Sequence, residues 1–104
     1  MPGRICYNLS MLYVMLYRPG PAYDPDATVA APGPLADHVA LMHEVTDSGR
    51  MVMGGPFVDG PGGMSVVEVE SREEAEAIAR DDPAVKCGFF TVEIRAWDTS
   101  DRRR

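Results

Sequence analysis

The sequence predicts an α+β chain of the split βαβ, ferredoxin-like kind. Four antiparallel strands in the order 4-1-3-2 carry two helices on one face. Three observations carry this expectation. Four short apolar stretches have the composition and period of strands. Two stretches between them have helical period, one closed by a glycine and the other opened by a capping box. The resulting order, βαββαβ, has no linker inside it, and right-handed crossovers leave one usual way to close it.

Residues 1–10 show no periodicity and read as an N-terminal extension. The domain proper spans residues 11–98, and residues 99–104 read as a solvated tail that ends in Arg102-Arg103-Arg104. Residues 11–17 are apolar on both alternations, as in a central strand covered on both faces. Leu12, Val14 and Leu16 share one face, and Tyr13, Met15 and Tyr17 the other. The aliphatic row is expected to meet the helices, and the tyrosine row a partner subunit or a ligand. Residues 19–34 form a loop broken by five prolines. A structureless connection of this length reads equally as a binding lid or as a passive insertion.

The first helix is expected over residues 35–48. At about 100° per residue, Leu35, Val39, Leu41, Met42, Val45 and Thr46 make one stripe. Asp37 in the first turn suits the helix dipole, and Gly49 reads as the residue after the C-cap. Strands follow over residues 50–57 and 64–70, joined by the hairpin loop Val58-Asp59-Gly60-Pro61-Gly62-Gly63. In the third strand Ser65, Val67 and Val69 share a face, and Met64, Val66 and Glu68 the other. Ser71 to Glu74 is a capping box that opens the second helix, whose inner stripe is Ala75, Ile78 and Ala79. Pro83 is expected to end that helix. In the last strand, residues 89–97, Phe90, Val92, Ile94 and Ala96 oppose Thr91, Glu93, Arg95 and Trp97. One helical layer leaves the second sheet face bare. Tyr13, Tyr17 and Trp97 are costly to leave in water, so a homodimer through that face is expected.

At 104 residues the chain is one domain, with an ordinary apolar content of 45% and charged content of 25%. The formal net charge of −6 argues against nucleic acid as a partner, because phosphate binding needs a basic face. No stretch is long and apolar enough to span a membrane, and residues 11–17 lack the flanks of a signal peptide. Cys6 and Cys87 read as free thiols, which places the chain in the cytoplasm.

The chemistry concentrates on His38, which lies within the apolar stripe of the first helix. In the expected strand order the fourth strand lies beside the first. The start of the first helix and the Asp82-Pro83 stretch then meet at one end of the sheet. His38 should therefore approach Asp82. A carboxylate on one imidazole nitrogen fixes the tautomer and stabilises the protonated ring, which makes an acid–base device. The same pair also serves as a purely structural tie, and spacing alone leaves both readings open. His43 stands about 140° round the helix from His38, so the two histidines make no metal pattern and no metal is expected. No serine sits in a nucleophile elbow. Gly54-Gly55 and Gly60-Pro61-Gly62-Gly63 match no phosphate-loop spacing and read as turn and close-approach residues. Glu73, Glu74 and Glu76 read as a solvated helix face.

These pieces, in this order, resemble the YCII-like family. The matching stretches are Leu12 to Tyr17, Asp37-His38-Val39, Gly49 to Phe57, Ser71 to Ala75, Asp82-Pro83 to Gly88, and Val92 to Trp97. The resemblance implies a dimeric ferredoxin-like fold, of α/β-barrel type, with an active site of His38 and Asp82. It also implies cofactor-independent lyase or isomerase chemistry on a small cyclic or hydroxylated aromatic substrate, like that of dehydrochlorinases or muconolactone isomerases. Tyr13, Tyr17 and Trp97 would line the pocket or the dimer interface. The alternative is a non-catalytic ligand- or partner-binding regulatory dimer. This chain departs from the family pattern in its long 19–34 loop and in lacking an arginine shortly before the histidine.

Overall fold

The computed structural model describes residues 11–101. The expected N-terminal extension, Cys6 and the final three arginines lie outside the described residues. The elements are β1 (Met11–Pro19), α1 (Pro34–Asp47), β2 (Met51–Pro56), β3 (Gly63–Val69), α2 (Arg72–Arg80), α3 (Pro83–Lys86) and β4 (Phe90–Trp97). The strands pair antiparallel in the order β2-β3-β1-β4, which is the expected order read from the other edge.

Register decides which side chains meet the helices. Tyr13 lies opposite Val67 and Ala96, Met15 opposite Ser65 and Ile94, and Tyr17 opposite Gly63 and Val92. This row forms the core with Ala75, Ile78 and Ala79 of α2 and with Ala84 of α3. The expectation for β1 is therefore reversed: its tyrosine row faces the helices, and Leu12, Val14 and Leu16 lie on the open face. The reason is one of volume. The α2 and α3 residues against the sheet are mostly alanines, so the wide side chains must come from the sheet to fill the layer between them. Leu12 pairs with Trp97, which puts the tryptophan on the open face, 46% exposed.

The edge strand β2 carries a bulge. Met51 pairs with Val67 and Met53 with Val66, so Val52 is the extra residue. The bulge sends Met53 to the open face and returns Gly54 to the helix side, opposite Ser65.

Helix ends follow the local sequence. The Ser71 hydroxyl accepts the Glu74 N–H at 3.1 Å, while the Glu74 carboxylate accepts the Glu70 N–H at 3.1 Å, one residue before the reciprocal partner of a standard capping box. α1 ends in a Schellman motif. The Gly49 N–H bonds Thr46 O, the Arg50 N–H bonds Val45 O, and Gly49 has φ 84°. Nothing lies within 4 Å of a Cβ built on Gly49, so a side chain there costs backbone strain alone.

Two stability changes follow from these ends. Gly49→Ala should destabilise the fold by about 1 kcal/mol through its left-handed conformation. Ser71→Ala should cost about 1 kcal/mol through the lost cap. Urea denaturation midpoints measure both, and a midpoint unchanged from wild type would show the end concerned to be unimportant.

Candidate functional site

The last residues of β1 and β2 and the first of β3 and β4 meet at one end of the sheet. Tyr17 pairs with Gly63 and Val92 there, and Pro56 with Gly63. Gly62 approaches Tyr17 O so closely that a Cβ would collide with it, and its φ of 89° also favours glycine.

Asp82 and Pro83 open a helix at this end instead of only closing one. Asp82 is the N-cap of α3 and Pro83 its first residue, a pairing whose fixed φ and missing N–H suit a helix start. The Asp82 Oδ1 accepts the Ala84 N–H at 2.9 Å. That bond orients the carboxylate so that Oδ2 lies 2.6 Å from His38 Nδ1. The Asp82 side chain is 0% exposed and that of His38 13%. The separation is that of a charge-assisted hydrogen bond.

The imidazole is also held by rings. Tyr17 meets it edge-on at 4.8 Å between centroids and Phe90 at 5.2 Å. With Nδ1 occupied, Nε2 is the nitrogen left for chemistry, and it has no hydrogen-bond partner among the described residues. A proton held on Nδ1 by the carboxylate makes Nε2 the basic atom of the neutral ring.

Beside His38 lies a cleft of about 680 Å³, between α1 and the β2–β3 hairpin. Tyr17, Tyr23, Met42, Phe57 and Phe90 are among its walls. The loop between β1 and α1 closes one side. The Gly20 N–H bonds Phe89 O and the Ala22 N–H bonds Gly88 O, both at 2.9 Å. The Tyr23 ring then packs on Phe89 at 5.0 Å. Tyr23, Asp24, Ala27 and Val29 of the loop thus form part of the cleft wall.

Of the residues expected at the site, the structure brings His38, Asp82 and Tyr17 together. Tyr13 belongs to the core and is not part of the cleft wall. Trp97 sits on the opposite sheet face, at the other end of β1. The three aromatics therefore form no single surface, because strand register puts the two tyrosines and the tryptophan on different faces. Sequence reasoning missed Tyr23, Phe89, Phe90 and Ser65 as cleft residues. It also read the end of β2 as architecture alone, although Gly54, Gly55, Pro56 and Phe57 all border the cleft. The strand order that placed Asp82 near His38 also places the end of β2 there, so the signal was present. His43 borders the cleft but is exposed, and Cys87 is exposed outside it.

Burial, with the negative charge of Asp82 adding to it, holds the Tyr17 hydroxyl well above the ordinary tyrosine range. It stays protonated and, among the described residues, donates to the Met15 sulfur at 3.9 Å; it supports the imidazole without serving as a base. A neutral hydroxyl favoured by folding contributes stability that is complete below about pH 10 and is lost as pH rises further. Wild type should therefore lose more stability than Tyr17→Phe between about pH 9 and pH 11, read from urea midpoints across that range. Equal losses would contradict the shift.

Three similarities bear on this geometry. Residues 11–98 match the model of the YCII-related domain. The uncharacterized protein YjpA of Bacillus subtilis (strain 168) is 36% identical over 63 residues, which is 61% of this chain and 74% of YjpA. The fold is similar to that of 5-chloro-2-hydroxyhydroquinone dehydrochlorinase (TftG) from Burkholderia phenoliruptrix AC1100, solved in complex with 2,5-dihydroxybenzoquinone. That likeness has a TM-score of 0.63 at 22% identity and covers 85% of this chain and 94% of TftG. With its matched residues spanning every element from β1 to β4, the chain belongs to the YCII-related domain family.

Proposed function

We propose that this chain is a small, cofactor-independent lyase or isomerase. His38 moves a proton on a cyclic or hydroxylated aromatic substrate, and Asp82 orients and polarises His38. One observation carries the reading. The imidazole is fixed by a fully buried carboxylate on Nδ1, while Nε2 is left unbonded beside a cleft large enough for a small molecule. A purely structural histidine would be expected to sit in filled core with both nitrogens satisfied.

In an elimination, Nε2 takes the proton of one substrate hydroxyl and delivers it to the ring carbon that bears the leaving group, giving the keto tautomer in which that carbon is tetrahedral. Nε2 then takes the proton of a second hydroxyl, whose O–H electrons form another carbonyl, the ring electrons shift, and the leaving group departs with its bonding pair. The imidazolium formed is stabilised by Asp82 and returns its proton to solvent. In an isomerisation the same proton is delivered to another carbon of the substrate. The dehydrochlorinase fold shared with TftG supports the elimination. The open cleft beside His38 favours a small-molecule role over a partner-binding regulator.

The open sheet face also needs cover. It carries Leu12, Val14, Leu16 and Trp97, and a second copy of the chain would bury them. The exposed free thiol of Cys87 suits a reducing cytoplasm.

His38→Ala and Asp82→Asn should each lower turnover of a hydroxylated aromatic substrate by roughly 10²–10⁴-fold. A folded His38→Ala variant with near-normal rates would sink the acid–base reading. Asp82→Ala should also destabilise the fold by about 2–4 kcal/mol, because it removes a helix cap and a charged hydrogen bond together. Chemical denaturation separates this loss from the catalytic one.

A further inference from the structure

The charge of the cleft narrows what it can accept. We infer that it takes an uncharged, flat, largely apolar ligand and excludes carboxylates and phosphates, an inference that rests on the cleft being the ligand site. Among the described residues no lysine or arginine borders the cleft. The charged groups near its walls are acidic. Asp24 lies on the loop wall, and Asp82 stands directly behind His38.

The neighbouring cations are engaged elsewhere. Arg18 lies on the open sheet face and pairs with Glu93 at 2.9 Å. Arg50 bonds the Ser48 hydroxyl at 2.8 Å and faces Glu74 at 3.8 Å. Lys86, at the end of α3, is exposed and outside the cleft wall. An anionic ligand would thus lose its hydration against aromatic and methionine side chains with no lysine or arginine to compensate, and the Asp24 carboxylate on the loop wall would repel it. The overall charge of −6 opposes its approach in the same sense.

What the cleft does offer is suited to a neutral ring. Tyr23, Phe89 and Phe90 supply aromatic faces and edges. Among the polar groups of the wall, which also include Asp24, His43 and Thr46, two stand within its apolar part: His38 Nε2 and the hydroxyl of Ser65. Ser65 is buried on β3, and among the described residues its hydroxyl makes one weak hydrogen bond, to the Met42 sulfur at 3.6 Å. A ring with oxygens on two sides could use both. The geometry therefore separates the two chemistries open to this fold. It favours hydroxylated aromatics and disfavours lactone carboxylates.

The test compares hydroquinone with 2,5-dihydroxybenzoate, which adds one carboxylate to the same ring. Each is titrated into the whole protein near pH 7, with backbone amide NMR shifts of cleft residues as the readout. Wild type should bind hydroquinone at least 10-fold more tightly. Val39→Arg puts a cation on the cleft wall at a half-buried position outside the core cluster, and should erase or reverse that preference. Equal or tighter binding of the carboxylate by wild type would overturn the inference, as would no shift with either probe. The two readings fail separately: wild type that prefers hydroquinone, together with a folded His38→Ala variant that keeps full turnover, would defeat the acid–base reading while leaving this inference standing.

Discussion

The carboxylate of Asp82 is the constraint on which the arrangement depends. A side chain with no exposure cannot carry charge unless both of its oxygens are occupied. The two partners come from distant parts of the chain. Ala84 lies two residues on, at the start of α3, and His38 lies 44 residues back, on α1. One bond thus fixes the start of a short helix and the other ties α1 to it. Val45 is the one fully buried residue of α1, with Leu35, Leu41 and Met42 packed partly buried against the core. The helix is anchored at its glycine-closed end by Val45 and near its other end by the Asp82 bond. The contact that makes His38 a candidate base is also the contact that places its helix.

Much of this was legible in the sequence, and the parts that were not have a common cause. Element order, the alternating faces of β3 and β4, the buried stripe of α2 and the approach of His38 to Asp82 all follow from periodicity and topology. The face of β1 does not, because residues 11–17 are apolar on both alternations and period 2 then carries no sign. What decided it was size. The alanines of α2 leave room only a tyrosine or methionine row can fill. The grouping of Trp97 with the tyrosines failed with it, since the pairing register of neighbouring strands sets which faces coincide. α3 was missed because Pro83 was read as a stop. An aspartate followed by proline is equally the mark of a start, with the cap supplied by Asp82.

The cleft itself arises from two local departures from regular packing. The apolar stripe of α1 is only partly spent on the core: Leu35 and Met42 pack against it, yet with Val39 and Thr46 they also border the cleft. Opposite them, the bulge at Val52 changes what β2 presents. Without the extra residue, Met53 would be on the helix side. With it, Gly54 takes that place, opposite Ser65. A Cβ on Gly54 would lie 2.9 Å from the Ser65 hydroxyl and 3.2 Å from the Met51 sulfur, so even alanine would crowd that wall. Gly54 therefore does more than turn the chain. It keeps a side chain out of the space between β2 and α1. The apolar surface left unburied on α1 is then available to a ligand, in front of the nitrogen that Asp82 leaves free.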